Sequence, residues 1–300
     1  MQTMLNYEDF CRTVAGKVCS HLPSGVLANP KDITKNNDTV LKGLVFSDPG
    51  TNISPTIYLE SFYEEFEKGR DISDITSHIV RLYNSTRVKE DIDMGFFMDF
   101  NIARNHICYK LINHASNEKS LKNIPHIPFL DLSIVFICHM DISDDQNGSI
   151  LISNEHMKMW KADTRTLYRS ALLNTPRLLP AQITEMGELI RSLAAEENAA
   201  PSPAFPMYIM SNNSRILGAT AILYPDALKK AAQMLSDDLY IIPSSIHEVI
   251  LVPYKDSPEP DELNKIIGEV NKTAVEDSEY LSDHCYYYSQ KDDQIFCEKP

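Results

Sequence analysis

Residues 239–253 read Leu-Tyr-Ile-Ile-Pro-Ser-Ser-Ile-His-Glu-Val-Ile-Leu-Val-Pro, two short apolar runs on either side of a polar break. Each run has the length and the β-branched content of a strand. The break contains a proline, two hydroxyls, an imidazole and a carboxylate. Functional groups often lie where strands end in loops on a rigid scaffold. We therefore predict two strands joined by a loop that carries Ser245, His247 and Glu248.

Outward from this segment, the chain mixes hairpin signals with amphipathic helices. A turn at residues 36–38 is predicted to join two strands, because Asn and Asp tolerate left-handed backbone angles. Residues 72–83 carry a helical apolar stripe. Phe129–His139 is apolar on both faces, as expected of a central strand. Because hairpins and helices do not alternate strictly, the predicted fold class is α+β, with mixed sheets, hairpins and packed helices.

Three further segments have a predicted structure. Residues 183–195 are predicted to be helical and residues 216–223 to form a strand. The third segment, residues 285–288, contains three consecutive tyrosines and is predicted to be a strand. Alternate rings then face opposite sides, with one face in the core. For the other face, the default expectation is the packing of an edge strand, and the alternative is a protein- or ligand-binding surface.

One segment has the composition of a linker. Residues 196–206 read Glu-Glu-Asn-Ala-Ala-Pro-Ser-Pro-Ala-Phe-Pro and show no periodicity. The predicted organisation is therefore an N-terminal α+β lobe at residues 1–195, a linker at 196–206, and a C-terminal α+β lobe at 207–300.

The charge balance excludes several partners. The 300-residue chain carries 28 basic and 42 acidic side chains, a formal net charge of −14. Such a surface repels phosphate backbones and anionic lipid. The longest apolar run, residues 127–140, is interrupted by Asp131 and is too short to cross a bilayer. We therefore expect neither nucleic acid nor a membrane as a partner. Nucleic-acid binding would require the basic residues to cluster on one face despite the net negative charge.

The cysteines and the N-terminus indicate a cytoplasmic protein. Six cysteines are scattered without a Cys-x-x-Cys pair, which favours reduced thiols over a disulfide framework. The first residues show no basic region followed by an apolar stretch, so no signal peptide is predicted. No glycine pattern of a nucleotide-binding loop occurs, and no cofactor is predicted.

The loop at 243–248 suggests a hydrolase. In that interpretation His247 acts as a base, Glu248 or Asp283 orients it, and Ser245 is the nucleophile. Residues so close in sequence rarely reach this geometry, and no Gly-x-Ser-x-Gly elbow is present. The alternative is a turn in which serine hydroxyls bond backbone groups.

Three neighbouring imidazole–carboxylate pairs raise the question of a metal site. They are Glu155-His156, His247-Glu248 and Asp283-His284. If the fold brings His156, His247 and His284 together, they can bind a divalent metal ion, since imidazole and carboxylate are ordinary ligands. The absence of ligands one helical turn apart favours a structural role for each histidine.

Asp131 stands out within an apolar stretch. Burial of an unpaired carboxylate is costly, so we expect Asp131 to have a fixed partner. Carboxylates in such places also occur at functional sites, which makes Asp131 a further candidate for catalysis.

Several motifs resemble those of a known family. They are Thr56–Tyr63, Phe129–Phe136, Asn154-Glu155-His156, Asn174-Thr175-Pro176 before Leu178-Leu179-Pro180, Leu239–Pro253 and Leu281–His284. In order and spacing they resemble the bacterial family filed as domain of unknown function 5688, over nearly the whole chain. A weaker likeness, through Ala171–Asn174, reaches the YtpQ-like proteins. The resemblance implies an intracellular bacterial protein and brings no activity, cofactor or catalytic residue.

Two functions remain compatible with the sequence. The leading hypothesis is a non-enzymatic protein-interaction or regulatory protein, because the chain is acidic and carries no complete catalytic signature. The alternative is a hydrolase-like, metal-dependent enzyme built around His247, which requires the candidate side chains to converge in one concave pocket. The sequence leaves the oligomeric state open.

Overall fold

A computed structural model describes residues 5–87, 91–143, 146–193 and 205–297. The chain divides into two compact units, the first formed by residues 1–35 and 39–94 and the second by residues 36–38 and 95–300. Helices coexist with three antiparallel sheets, which confirms the predicted α+β class. Within the described ranges, no helix combines the length and the apolar character needed to cross a membrane.

In the first unit, helices pack with a three-stranded sheet. Its elements are α1 (Tyr7–Cys19), β1 (Leu27–Thr34), β2 (Val40–Ser47), β3 (Thr56–Tyr58), α2 (Glu60–Glu67) and α3 (Ile72–Thr86). The predicted hairpin is confirmed, because β1 pairs with β2 and Asn37 between them has a φ of 61°. In the core, the rings of Phe46 and Tyr83 stack with their centroids 4.4 Å apart.

The second unit contains two sheets and the remaining helices. Its elements are α4 (Gly95–Met98), α5 (Phe100–Ala103), β4 (Ile107–Asn113), α6 (Glu118–Leu121), β5 (His126–Phe129), β6 (Leu132–Ser143), β7 (Gln146–Leu151), α7 (Asn154–Trp160), α8 (Thr164–Leu178), β8 (Ala181–Glu185), α9 (Met186–Leu193), β9 (Tyr208–Asn212), α10 (Ala227–Leu235), β10 (Leu239–Ile242), β11 (Val249–Pro253), α11 (Pro260–Ala274), β12 (Tyr286–Ser289) and β13 (Gln294–Phe296). Short 3₁₀ helices occur at Asn36–Asp38, Ala115–Asn117, Gly218–Leu223 and Tyr254–Asp256.

β6 is the central strand of the four-stranded sheet, as predicted for this part of the chain. It pairs with β4, β5 and β7, all antiparallel. The strand begins later than predicted, because Leu130 adopts a left-handed φ of 54° and forms a turn with Asp131 between β5 and β6. The prediction of Asp131 within the strand is therefore wrong.

The six-stranded sheet has the order β13-β12-β10-β11-β9-β8. Side chains alternate between its faces. Ile241 and Tyr286 join a large core with Phe136 of β6, while Tyr287 packs with Leu263 of α11 on the opposite face. All three tyrosines of β12 are buried, so the tyrosine run offers no open surface to a partner, and the alternative of a binding surface there is not supported.

Two predicted elements differ from the structure. Residues 218–223 form a 3₁₀ helix and not a strand, because Leu217 adopts a left-handed φ of 57° that an extended chain does not permit. Residues 183–185 belong to β8, and a helix begins only at Met186. Pairing of β8 with β9 overrides the helical periodicity of this segment.

The two compact units divide near residue 94, whereas the sequence places a boundary at residues 196–206. Residues 194–204 lie outside the described part of the chain, so the character of the linker stays a prediction. The strands before and after it, β8 and β9, pair directly in one sheet of the second unit. Residues 181–185 and 208–212 therefore share a sheet.

Candidate functional site

Ser245 and His247 lie in the loop between β10 and β11. The Ser245 hydroxyl accepts a hydrogen bond from the backbone N–H of His247, at 3.0 Å. This is the arrangement of a serine turn, in which the hydroxyl satisfies a backbone donor. Glu248 participates through its backbone carbonyl, which accepts from the N–H of Ser245. The loop thus uses Ser245 to shape the turn.

The imidazole of His247 bridges two other segments. Its Nδ1 accepts from the backbone N–H of Leu217 at 3.2 Å, and its Nε2 lies 3.3 Å from Oε1 of Glu279. Because Nδ1 acts as an acceptor, the ring proton sits on Nε2 and faces the carboxylate. The acid that orients His247 is therefore Glu279, rather than the predicted Glu248 or Asp283.

His156 is part of a helix cap. Its Nδ1 accepts from the backbone N–H of Ser153, and the Ser153 hydroxyl accepts from the N–H of His156, which together form a capping box. The ring packs edge-on against Phe97, with centroids 4.9 Å apart. Burial lowers the pKa of His156, since the charged ring loses solvation. The neighbouring Glu155 is exposed and pairs with Lys158 at 2.7 Å.

Asp283 and His284 belong to the segment before β12. Asp283 accepts from the side-chain amide of Asn271 at 2.9 Å, and the backbone N–H of His284 donates to the Ser282 hydroxyl at 3.0 Å. The three candidate histidines are thus held by different partners. Across the described ranges, no three His, Cys, Asp or Glu side chains lie close enough to hold a metal ion.

Asp131 is fixed by two hydroxyls. Its Oδ1 accepts from the phenol of Tyr286 and its Oδ2 accepts from Ser282, each at 2.6 Å. Burial, and next the charge of Asp131, raise the pKa of Tyr286 far above its ordinary value. The Ser282 hydroxyl is fully buried and donates to a carboxylate, so it is not activated by an imidazole.

Asp131 and His284 line the same cavity, of about 740 Å³. The other lining residues are Tyr240, Glu259, Pro260, Asp261, Asn264, Cys285 and Cys297. The lining thus carries three carboxylates and no lysine or arginine. Two predicted site residues meet here, and neither Ser245 nor His247 is part of the cavity.

A second concave surface lies between α5 and α8, and none of the sequence motifs pointed to it. We call it the α5–α8 groove. It has a volume of about 270 Å³ and is lined by Phe100, Arg104, Asn105, Thr166, Arg169, Ser170, Leu173 and Asn174. Leu173 is 74% exposed and lines the groove together with the exposed Arg104 and Arg169.

The local sequence explains how the groove is built. Asp163 caps α8 by accepting from the N–H of Thr166 at 2.8 Å. On the buried side of α8, Asn174 donates to the carbonyl oxygens of Arg104 and Ile107, which ties the helix to the end of α5 and the start of β4. The groove is therefore held by fixed elements on both sides.

The electrostatics of the groove differ from those of the chain as a whole. α8 contains three arginines and no acidic residue, in a protein of net charge −14. Among the described residues, neither Arg104 nor Arg169 forms a salt bridge. The signal available in the sequence was this basic helix, where Arg169, Leu173 and Arg177 follow one another at intervals of one turn.

A scan against protein-family models matches residues 7–290 to a family of unknown function, DUF5688. No curated protein and no solved structure gives a significant match. The match covers nearly all of the 300 residues and includes both compact units. The chain belongs to the DUF5688 family.

Proposed function

We propose that the chain is a non-enzymatic protein-interaction protein whose α5–α8 groove binds an acidic, partly apolar segment of a partner protein. The observation that carries the proposal is the exposure of Leu173 in a groove that Arg104 and Arg169 also line. Interaction sites combine exposed apolar surface with an enrichment in arginine.

The chemistry of the groove selects the partner. Arginine presents a planar set of donors that suits carboxylates, and it tolerates partial burial better than lysine. Leu173 and the half-buried Phe100 form an apolar part of the groove that an aliphatic side chain can contact. A nucleic acid would use the arginines but gain nothing from Leu173. A carboxylate-bearing amphipathic peptide satisfies both features.

The hydrolase alternative finds less support. Ser245 bonds a backbone N–H, His156 caps a helix, and His247 bridges Leu217 and Glu279. A nucleophile must lie within hydrogen-bond reach of its base, and none of these contacts joins a hydroxyl to an imidazole. We therefore propose that the protein binds a partner and does not catalyse a reaction.

The proposal includes a cytoplasmic location. Cys11, Cys108, Cys138 and Cys285 are buried free thiols. Thiols persist in reducing compartments, whereas secreted chains tend to oxidise them. Cell fractionation of the native host tests this part, and recovery outside the cytoplasm would contradict it.

The experiment uses Trp160, the single tryptophan of the chain, as a reporter. Its ring centroid lies 5.6 Å from that of Phe100, which lines the groove. Titration with a Glu/Leu helical peptide should change Trp160 fluorescence, and a Lys/Leu peptide of the same length should not. An oligonucleotide that binds better than the Glu/Leu peptide would overturn the proposal.

Variants localise the site. Arg169→Glu should weaken binding of the acidic peptide by about tenfold, equivalent to about 1.4 kcal/mol, because attraction becomes repulsion. Arg165→Glu is the matched control, since Arg165 is exposed on the same helix but does not line the groove. Equal weakening by both variants would indicate a general charge effect and not a site.

A further inference from the structure

We infer that the partner of the α5–α8 groove is helix α11 of a second copy of this chain, so that the protein assembles head to tail. The inference rests on the proposed function and names the partner of the same groove. It comes from the outward face of α11, which shows the complementary pattern of charge and apolar surface.

α11 buries one face and leaves an apolar stripe on another. Leu263 and Ile267 pack into the core beneath the helix. Ile266 and Val270 are 40% and 42% exposed, although both are large aliphatic residues. They are four residues apart, and therefore neighbours on the helix surface. The outward face of a surface helix typically carries polar residues, so this pair departs from the usual pattern.

Two carboxylates flank the exposed apolar pair. Glu262 precedes Ile266 by four residues and Glu269 follows it by three, so each carboxylate is a neighbour of Ile266 on the helix surface. Among the described residues, neither glutamate forms a salt bridge. Lys265 and Lys272 border the two glutamates on the side away from Ile266 and Val270, so the carboxylates lie between the lysines and the apolar pair. The stripe is therefore acidic and apolar, which is the chemistry that the groove favours.

The spacings of the two surfaces match on one side of the central apolar residue and differ by one residue on the other. On α8, Arg169 lies four residues before Leu173, and on α11 Glu262 lies four residues before Ile266. Each interval spans about 6 Å along a helix. Arg177 follows Leu173 by four residues, and Glu269 follows Ile266 by three. When Ile266 rests on Leu173, a carboxylate of α11 can face an arginine of α8 on each side.

The geometry of association follows from the use of two different surfaces. The groove and α11 are both part of the second unit, and each copy presents one of each. Such an interface is heterologous: a copy that binds through its groove still has a free α11. Assemblies of this kind close into rings or grow into chains, and do not stop at symmetric dimers.

Sedimentation velocity of the full chain tests the inference. The wild-type protein should show a sedimentation coefficient that rises between micromolar and millimolar concentrations. A groove variant (Arg169→Glu with Leu173→Ser) and a helix variant (Ile266→Ser with Glu269→Arg) should each stay monomeric. All four positions are exposed, so both variants should fold, which circular dichroism verifies. Arg165→Glu is the control and should associate as the wild type does.

Mixing the two variants gives the decisive result. The helix variant retains an intact groove and the groove variant retains an intact α11, so an equimolar mixture should form a complex of two chains and nothing larger. A mixture that stays monomeric overturns the inference, as does a wild-type protein that is monomeric at every concentration. If the wild-type chain is monomeric but still binds the Glu/Leu peptide, the proposed function stands and self-association is rejected.

Discussion

The phenol oxygen of Tyr286 lies 2.6 Å from Oδ1 of Asp131, which joins the turn between β5 and β6 to β12 of the six-stranded sheet. The other carboxylate oxygen accepts from Ser282, so one side chain fixes two points of the neighbouring segment. Hydrogen bonds to an ionised acceptor are shorter and stronger than neutral ones. The Asp131–Tyr286 contact thus adds a polar link to the apolar core that the two sheets of the second unit share.

The first prediction concerns this link. Asp131→Asn replaces one acceptor oxygen by a donor, so either Tyr286 or Ser282 loses its partner. We expect a loss of about 1–3 kcal/mol in the free energy of unfolding. Tyr286→Phe removes the donor and serves as the second arm of a double-mutant cycle. Urea denaturation should show that the double variant loses less free energy of unfolding than the two single variants lose together. Strict additivity of the two losses would contradict the link.

A second prediction concerns two glycines of the second unit. A Cβ at Gly218 would lie 2.6 Å from the carbonyl oxygen of His247 and 2.7 Å from the backbone nitrogen of Asn212. Backbone atoms cannot yield as a side chain does, so Gly218→Ala should destabilise the protein by about 1–3 kcal/mol.

Gly268 supplies the matched control for that substitution. It lies inside α11, and a Cβ there would meet no atom within 4 Å. Gly268→Ala should therefore stabilise the protein by about 0.5–1 kcal/mol, because alanine loses less backbone entropy in a helix. Thermal denaturation of both variants measures the contrast. Equal effects of the two substitutions would contradict the close approach at Gly218.

Turn residues and β-branched runs in the sequence correctly predicted those hairpins and strands whose formation depends mainly on neighbouring residues. The hairpin of β1 and β2 follows from Asn37, whose side chain tolerates a left-handed backbone. The strands β10 and β11 follow from their β-branched runs. Residues 216–223 show the limit of such reasoning. Their apolar composition suits a strand, but Leu217 turns the chain, and Gly218 lets it approach His247 closely.

The candidate site was less predictable, because its contacts are long-range. His247 has Glu248 beside it in sequence, yet its ring faces Glu279. Asp131 was expected to need a partner, and the partners are Ser282 and Tyr286, far along the chain. Partners of this kind depend on how the sheet is assembled, which periodicity does not encode. The α5–α8 groove had a local signal, the acid-free α8, but its concave shape depends on α5.

A third prediction concerns the cysteines. Burial raises the pKa of Cys108 and Cys285 to about 11 and that of Cys138 to about 12, so these thiols stay protonated and inaccessible. Cys297 is exposed. At about pH 8, near the ordinary pKa of a thiol, iodoacetamide should modify Cys297 well before the three buried cysteines. Peptide mass spectrometry gives the order, and labelling in urea should remove the difference. Modification of Cys138 as fast as Cys297 in the native protein would contradict the burial.

The last prediction concerns pH. Burial lowers the pKa of His156 below its ordinary 6.5, so the unfolded chain binds a proton at this residue before the folded chain does. Stability then rises with pH through the window between the lowered pKa and 6.5, and it falls on acidification through the same window. Protonation of Nδ1 also removes the acceptor of the Ser153 N–H.

The variant His156→Gln isolates this effect. Glutamine is an accepted member of the capping box and supplies an acceptor for the Ser153 N–H, but it does not titrate. We expect the difference in the free energy of unfolding between about pH 7.5 and about pH 5.5 to be smaller in His156→Gln than in the wild-type protein. The two proteins differ only at residue 156, so every other contribution to the pH dependence cancels in the comparison. Urea denaturation at the two pH values measures it, and an unchanged pH dependence would show that His156 keeps its ordinary titration in the folded protein.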